Sequence, residues 1–340
     1  MNKIILLLLS FSSFLSAQNS STLNSHKDTS YNFYTASAKM HKKFPNAELV
    51  LPHLPKNVKE VKNIVYAETG QRKLHLDLFY PADSDKKDFP GVVLIHGGGW
   101  RSGNKQLVIP MAEKLTADGY VTIAVEYRLS TEALYPAAVY DIKAAIRWMR
   151  ANASEYQINS KEIAVYGCSA GGHLAALIGT TNGDKKFEGD EGNNDYSSSV
   201  QTIIDVDGVL DFFGKGSEEV YKKSGKPSAA HLWFGVSAKE DPELWKEAGP
   251  VNHTDKNTPP VLFINSGQPR FHAGRDEMIK KMNFFNIYCE VHTLEGTIHT
   301  FWLFNPWFEK TFDYTLKFLK KTLKSKKSKV STDKDRNFNR

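Results

Sequence analysis

The stretch Ile163-Ala164-Val165-Tyr166-Gly167-Cys168-Ser169-Ala170-Gly171-Gly172-His173-Leu174-Ala175 decides the fold. Residues 163–166 form an unbroken apolar run, the pattern of a strand buried on both faces inside a parallel sheet. Residues 170–179 read as a helix, so Ser169 stands on a tight turn from strand to helix. The backbone there is crowded and needs small neighbours at 167 and 171. In that context G-x-S-x-G is a nucleophile elbow, a turn that lifts a hydroxyl clear of the sheet.

Further runs of the same kind lie on either side. Val92–Ile95, Val121–Val125, Ile203–Val206, Val261–Ile264 and Ile287–Val291 are apolar-rich runs. Helical patterns fall between them, over Gln106–Ala117, Pro136–Asn152, Gly274–Phe285 and Asn305–Leu323. In the second of these, Ile142, Ala145, Ile146 and Met149 share one helical face. Strand alternating with helix predicts an α/β fold, with a mostly parallel sheet covered on both faces. Val61–Glu68 and Leu74–Tyr80, joined through Gly70, predict an antiparallel hairpin at its start. Residues 18–57 are polar, with three prolines and no sustained periodicity, and read as an extended arm. The main domain is then 58–325, with a small cap-like insertion at about 212–258 carrying Trp233 and Trp245.

Composition excludes several classes. Of 340 residues, 41% are hydrophobic and 24% charged, which suits a globular domain. The net charge of +6 is local: ten Lys/Arg against two Asp from Lys317 to Arg340 give +8, leaving the remainder near −2. That places the basicity on a tail, read as disordered over 326–340, and gives no footprint for nucleic acid. Residues 1–17 combine one lysine, a short apolar run and Ser16-Ala17. They read as a secretory signal peptide cleaved near Ala17, too short and serine-broken to span a membrane, and they imply export to the periplasm or beyond. Two cysteines, Cys168 and Cys289, are too few for a disulfide framework and read as buried thiols.

A second motif, His96-Gly97-Gly98-Gly99-Trp100, follows the strand Val92–Ile95. Glycines let backbone N–H groups approach a substrate closely, and such donors stabilise an oxyanion as it forms. Gly98, Gly99 and Ala170 are the candidate oxyanion hole, with His96 holding the loop. A serine nucleophile needs a base, and in this fold the order is Ser, acid, His. Among the later histidines, His299 lies after the last apolar strand and before the final helix, within reach of the elbow.

With these residues the chain resembles the α/β-hydrolase superfamily. More narrowly it is similar to bacterial secreted esterases of the feruloyl and acetylxylan esterase type, relatives of the hormone-sensitive-lipase group. The likeness covers roughly residues 60–325 and rests on the two motifs above and on Glu126-Tyr127-Arg128-Leu129, Tyr135-Pro136-Ala137-Ala138, Asp141-Ile142-Lys143-Ala144-Ala145 and His299-Thr300-Phe301-Trp302. It implies an α/β-hydrolase fold in which Arg128 and Asp141 belong to the scaffold. It also implies a Ser–His–Asp ester hydrolase needing no cofactor or metal. The substrates implied are ester decorations of plant polysaccharides or oligosaccharides, with acetyl on xylan or pectin preferred and feruloyl the alternative. A kynurenine-formamidase-like amide hydrolase and a non-catalytic carbohydrate-binding relative are the other readings. The chain departs from the family at the acid. The family places it in a Gly-x-x-Asp turn after the penultimate strand, where this chain has Gly267-Gln268-Pro269-Arg270. Asp276, the next carboxylate, is the expected acid, with Asp207 behind it and Asp211 and Glu295 as rivals. In the alternative reading Asp276 only charges the start of a helix.

Overall fold

Apolar runs of four or five residues with no solvent-facing side settle as inner strands under helices, whereas the run at 287–291 leads into an edge strand, with Tyr288 and Val291 exposed. The computed structural model describes residues 28–70, 72–82, 88–213 and 227–323. The signal-peptide reading (1–17), the basic tail (326–340) and part of the insertion (214–226) lie outside these residues.

The chain begins with helix α1 (Phe33–His41) and a short strand β1 (Glu48–Leu49). The hairpin β2 (Val58–Thr69) and β3 (Arg72–Pro81) follows, then β4 (Phe89–Ile95), α2 (Ile109–Ala117) and β5 (Val121–Val125). Next come α3 (Ala137–Ala151), β6 (Ile158–Cys168), α4 (Ala170–Thr180) and β7 (Thr202–Val206). The inserted segment carries α5 (Ala229–Phe234), α6 (Pro242–Glu247) and α7 (Pro250–His253). The chain then runs through β8 (Val261–Ser266), α8 (Arg275–Phe284), β9 (Cys289–Leu294), β10 (Phe304–Asn305) and α9 (Trp307–Thr322).

The main sheet has eight strands in the order β2-β3-β5-β4-β6-β7-β8-β9. β3 pairs antiparallel with β2 and β5, and every later pairing is parallel. On one face α3, α4 and α8 pack Ile142, Ile146, Leu174, Leu177, Met278 and Met282 against Val93, Val165, Ile203 and Phe263. On the other, α1, α2 and α9 pack Met40, Met111, Leu115, Phe312 and Phe318 against Leu94, Tyr166, Ile204 and Ile264. This is the expected α/β-hydrolase architecture, with helix and strand boundaries displaced by a few residues. Arg128 and Asp141 tie the loop after β5 to α3: the guanidinium donates to both oxygens of the fully buried Asp141, which also accepts from the Arg128 N–H at 2.7 Å. Cys168 is buried, Cys289 is partly buried and both are free thiols.

The N-terminal segment differs from the extended arm expected. Asn32 caps α1, accepting from the Thr35 N–H at 3.0 Å while the Thr35 hydroxyl accepts from the Asn32 N–H at 3.1 Å. Only Ala36 and Met40 of this nine-residue helix are buried, too sparse a stripe to register as periodicity. The segment is tied down at both ends. Asp28 bridges to Ser102 and accepts from Arg101 Nε at 3.0 Å, and β1 pairs with β10.

The elbow itself depends on close backbone approach. A Cβ on Gly171 would stand 2.2 Å from the Ile95 carbonyl oxygen, so α4 rests directly on the end of β4. Gly171→Ala is therefore expected to destabilise the fold by about 2 kcal/mol or more, the penalty typical of overpacking against atoms that cannot yield. The shift in the urea unfolding midpoint measures it.

Candidate active site

Ser169 sits between β6 and α4 with φ 57° and ψ −122°, a conformation that a side chain seldom adopts. Its N–H donates to the Val206 carbonyl at 2.8 Å, fixing the turn to the neighbouring strand. The Oγ lies 2.7 Å from His299 Nε2.

His299 lies after β9 and is only 8% exposed. Its N–H donates to Gln268 Oε1 at 2.7 Å, Phe271 stacks on its ring at 3.4 Å between centroids, and Trp302 meets it edge-on. Its Nδ1 faces Asp207 Oδ2 at 2.9 Å. A carboxylate only accepts, so Nδ1 carries the proton and Nε2 is left to accept from the serine hydroxyl.

The acid at His299 is therefore Asp207, and Asp276 is corrected. Asp276 lies in the first turn of α8 with its side chain 68% exposed, paired to Arg275 at 2.9 Å, and so takes the alternative role of charging the helix start. Asp207, by contrast, is fully buried at the end of β7. Its φ of 56° turns the chain back, its N–H donates to the Ile264 carbonyl, and its Oδ1 accepts from the Ser266 N–H at 2.7 Å. One oxygen is held by backbone while the other faces the imidazole. Asp205, two residues earlier, points under α4, where burial first and Asp207 second hold its carboxyl well above the usual carboxylate range. Asp211 accepts from the Phe213 N–H, and Glu295 is exposed beside Gly267. The apolar run Ile203–Val206 was the available sequence signal: Asp207 follows it directly, at a strand's carboxyl end, the position where such sheets carry their site residues.

Gly98 and Gly99 line the same cavity as Ser169 and His299. Gly98 has φ +129°, and a Cβ there would overlap the Ser102 carbonyl. That carbonyl end of the loop is pinned, since the N–H and Oγ of Ser102 both donate to the Gly98 carbonyl at 3.0 Å. Among the described residues no protein acceptor takes the N–H of Gly98 or Gly99, and Ala170 opens α4, where first-turn N–H groups have no helical partner. His96 is stacked on Tyr127, whose hydroxyl donates to the His96 carbonyl at 3.0 Å, so it holds the loop. Trp100 is buried, stacked on Trp233 of α5, and donates through Nε1 to His173 Nδ1. Burial pushes His173 down to about 4, which keeps it a neutral acceptor.

The cavity has a volume of about 360 Å³. Among the described residues its outer wall comes from Ser30, Tyr31, Thr35, Ala36 and Lys39, from the N-terminal segment and not from the 212–258 insertion. The insertion packs instead behind Trp100 through Trp233, Phe234 and Trp245.

Residues 76–279 match the BD-FAE family. The chain belongs to that family. Esterase LipC of Mycobacterium tuberculosis is 29% identical over 196 residues, which are 57% of this chain and 47% of LipC. Esterase LipQ of the same organism is 26% identical over 68% of this chain and 53% of its own length, so the chain spans about half of these curated relatives. Among solved structures, a bifunctional GH43-CE protein of Bacteroides eggerthii superposes with a TM-score of 0.67 at 27% identity, covering 78% of this chain and 38% of that one. The apo form of Thermogutta terrifontis esterase 2 gives 0.65 at 25% identity, covering 81% and 98%.

Two predictions follow from the relay. Asp207→Asn is expected to lower the rate of ester cleavage by about 10⁴-fold, the loss seen when a triad acid is neutralised in place, whereas Asp276→Asn stays close to wild type. Hydrolysis of a chromogenic acetate ester measures both. Burial lowers the pKa of His299 below its ordinary 6.5, opposed by Asp207 and reinforced by Lys39 and Arg270. The neutral imidazole is the working base, so kcat/KM should rise with pH through an inflection below 6.5 and be flat at neutrality. A pH–rate profile tests this.

Proposed function

We propose that this chain is a serine carboxylic-ester hydrolase, exported from the cell, that removes small acyl groups from plant polysaccharides or oligosaccharides. The observation that carries the reading is the continuous relay Asp207–His299–Ser169, at 2.9 and 2.7 Å, opening on a glycine-lined cavity.

In the first half-reaction His299 Nε2 takes the proton as Ser169 Oγ attacks the ester carbonyl. The carbonyl oxygen becomes negative and is met by the N–H groups of Gly98, Gly99 and Ala170. One such donor is worth roughly 3–4 kcal/mol of barrier. Asp207 keeps Nδ1 protonated and stabilises the imidazolium, which then returns its proton to the leaving alcohol. Water, activated by the same imidazole, releases the acid and restores Ser169.

The esterase reading is supported by family membership and by the relatives described as esterases. Export rests on the leader-like residues 1–17. The saccharide reading rests on the resemblance and on the GH43-CE neighbour. The preference for acetyl over feruloyl rests on the resemblance, since a cavity of about 360 Å³ admits either group.

Wild type is expected to hydrolyse a chromogenic acetate ester, and Ser169→Ala to lose about 10⁶-fold in kcat. Equal rates for the two proteins would end the esterase reading. On polymers, acetate release from acetylated xylan or pectin is expected to exceed ferulate release from arabinoxylan, and the reverse order would assign the larger acyl group.

A further inference from the structure

We propose that the site selects esters bearing a carboxylate close to the scissile bond, and that Lys39 and Arg270 are the residues that select them. The inference rests on the esterase reading above and adds a substrate class to it.

Among the described residues, two cations stand near this site without a carboxylate partner. Lys39, on α1, lines the cavity together with Ser169, His299, Gly98 and Gly99. Arg270 lies on the turn after β8, its guanidinium carbon 4.3 Å from the ring centroid of Phe271, which is itself stacked on His299. The turn is held to the site from a second side, because Gln268 accepts from the His299 N–H. Among the described residues neither cation meets a carboxylate, and Arg270 Nε is buried with no acceptor. Several cations elsewhere in the chain, most of them more buried than the exposed Lys39 and the half-buried Arg270, are paired: Lys105 with Asp77, Lys143 and Arg147 with Glu188, Arg128 with Asp141.

Both charges bear on the relay. Lys39 is held below its ordinary value by burial first and by the Arg270 charge second, and both cations act on His299 in the same direction. Like charges held together without a counterion are unfavourable, and an anion placed between them relieves the repulsion. The carboxylate nearest the relay, Asp207, is fully buried and already engaged by His299 and Ser266. Among the described residues no carboxylate fills that place, which leaves it open to a ligand. The same turn is where the family resemblance puts the triad acid. With Asp207 supplying that acid from β7, position 270 is released to face the substrate as a cation.

A carboxylate on the substrate has two chemical sources, an acidic sugar on the alcohol side or a dicarboxylic half-ester on the acyl side. Two substrate pairs separate them: an acetylated methyl glucuronide against the acetylated methyl glucoside, and the hemisuccinate of a chromogenic phenol against its butyrate. Within each pair the ratio of kcat/KM, charged over neutral, is the readout, so a general loss of activity in a variant cancels. Wild type is expected to favour the charged member of at least one pair, and rising ionic strength to erode that preference. Lys39→Gln and Arg270→Gln should each lower the ratio about tenfold, and the double variant Lys39→Glu with Arg270→Glu should invert it. A wild-type ratio near one in both pairs, or a ratio unmoved by charge reversal, overturns the inference while leaving the esterase reading intact. Failure of wild type to exceed Ser169→Ala on the neutral esters removes that reading, and the inference falls with it.

Discussion

One imidazole holds this site together. His299 accepts from Ser169 and donates to Asp207, residues 130 and 92 positions away in the chain. Those contacts exist because β6, β7, β8 and β9 lie side by side and parallel, so their carboxyl ends, with the turns that follow them, open at one edge of the sheet. The backbone is strained where it makes them. Ser169, Asp207, Trp100 and Thr300 all have positive φ without being glycine. Each such residue costs on the order of 1–3 kcal/mol, sustained only by a surrounding structure that over-determines it. That surrounding structure is the pair of cores above and below the sheet.

Much of this was legible in the residues. Unbroken apolar runs specify buried strands, and the glycines around Ser169 and after Ile95 specify turns too tight for side chains. His299 was legible by elimination, as the histidine between the last strand and the last helix. The acid was not. Asp276 and Asp207 are both carboxylates beyond β7, and the resemblance pointed to the turn nearer Asp276. What separates them is direction: Asp207 turns inward at a positive φ and spends one oxygen on the Ser266 N–H, while Asp276 sits outward on α8 beside Arg275. Backbone direction at a strand end is a tertiary property that local pattern does not encode.

The site's outer wall was hidden for a related reason. The insertion, with its tryptophans, had the composition of a cap, yet its aromatic rings stack behind Trp100 and stiffen the oxyanion loop from outside. The polar N-terminal segment instead supplies the wall, anchored by Asp28 to Arg101 and by Asn32 at the start of α1. It reads as featureless because it buries only two residues of its helix and relies on hydrogen bonds for the rest.

The most direct test of the relay is the proton NMR signal of His299 Nδ1–H. A proton shared with a buried carboxylate at 2.9 Å resonates well downfield of ordinary amides. The account predicts one such resonance, present in wild type and in Asp276→Asn and absent in His299→Ala and Asp207→Asn. A signal that survives in Asp207→Asn, or disappears in Asp276→Asn, would contradict it.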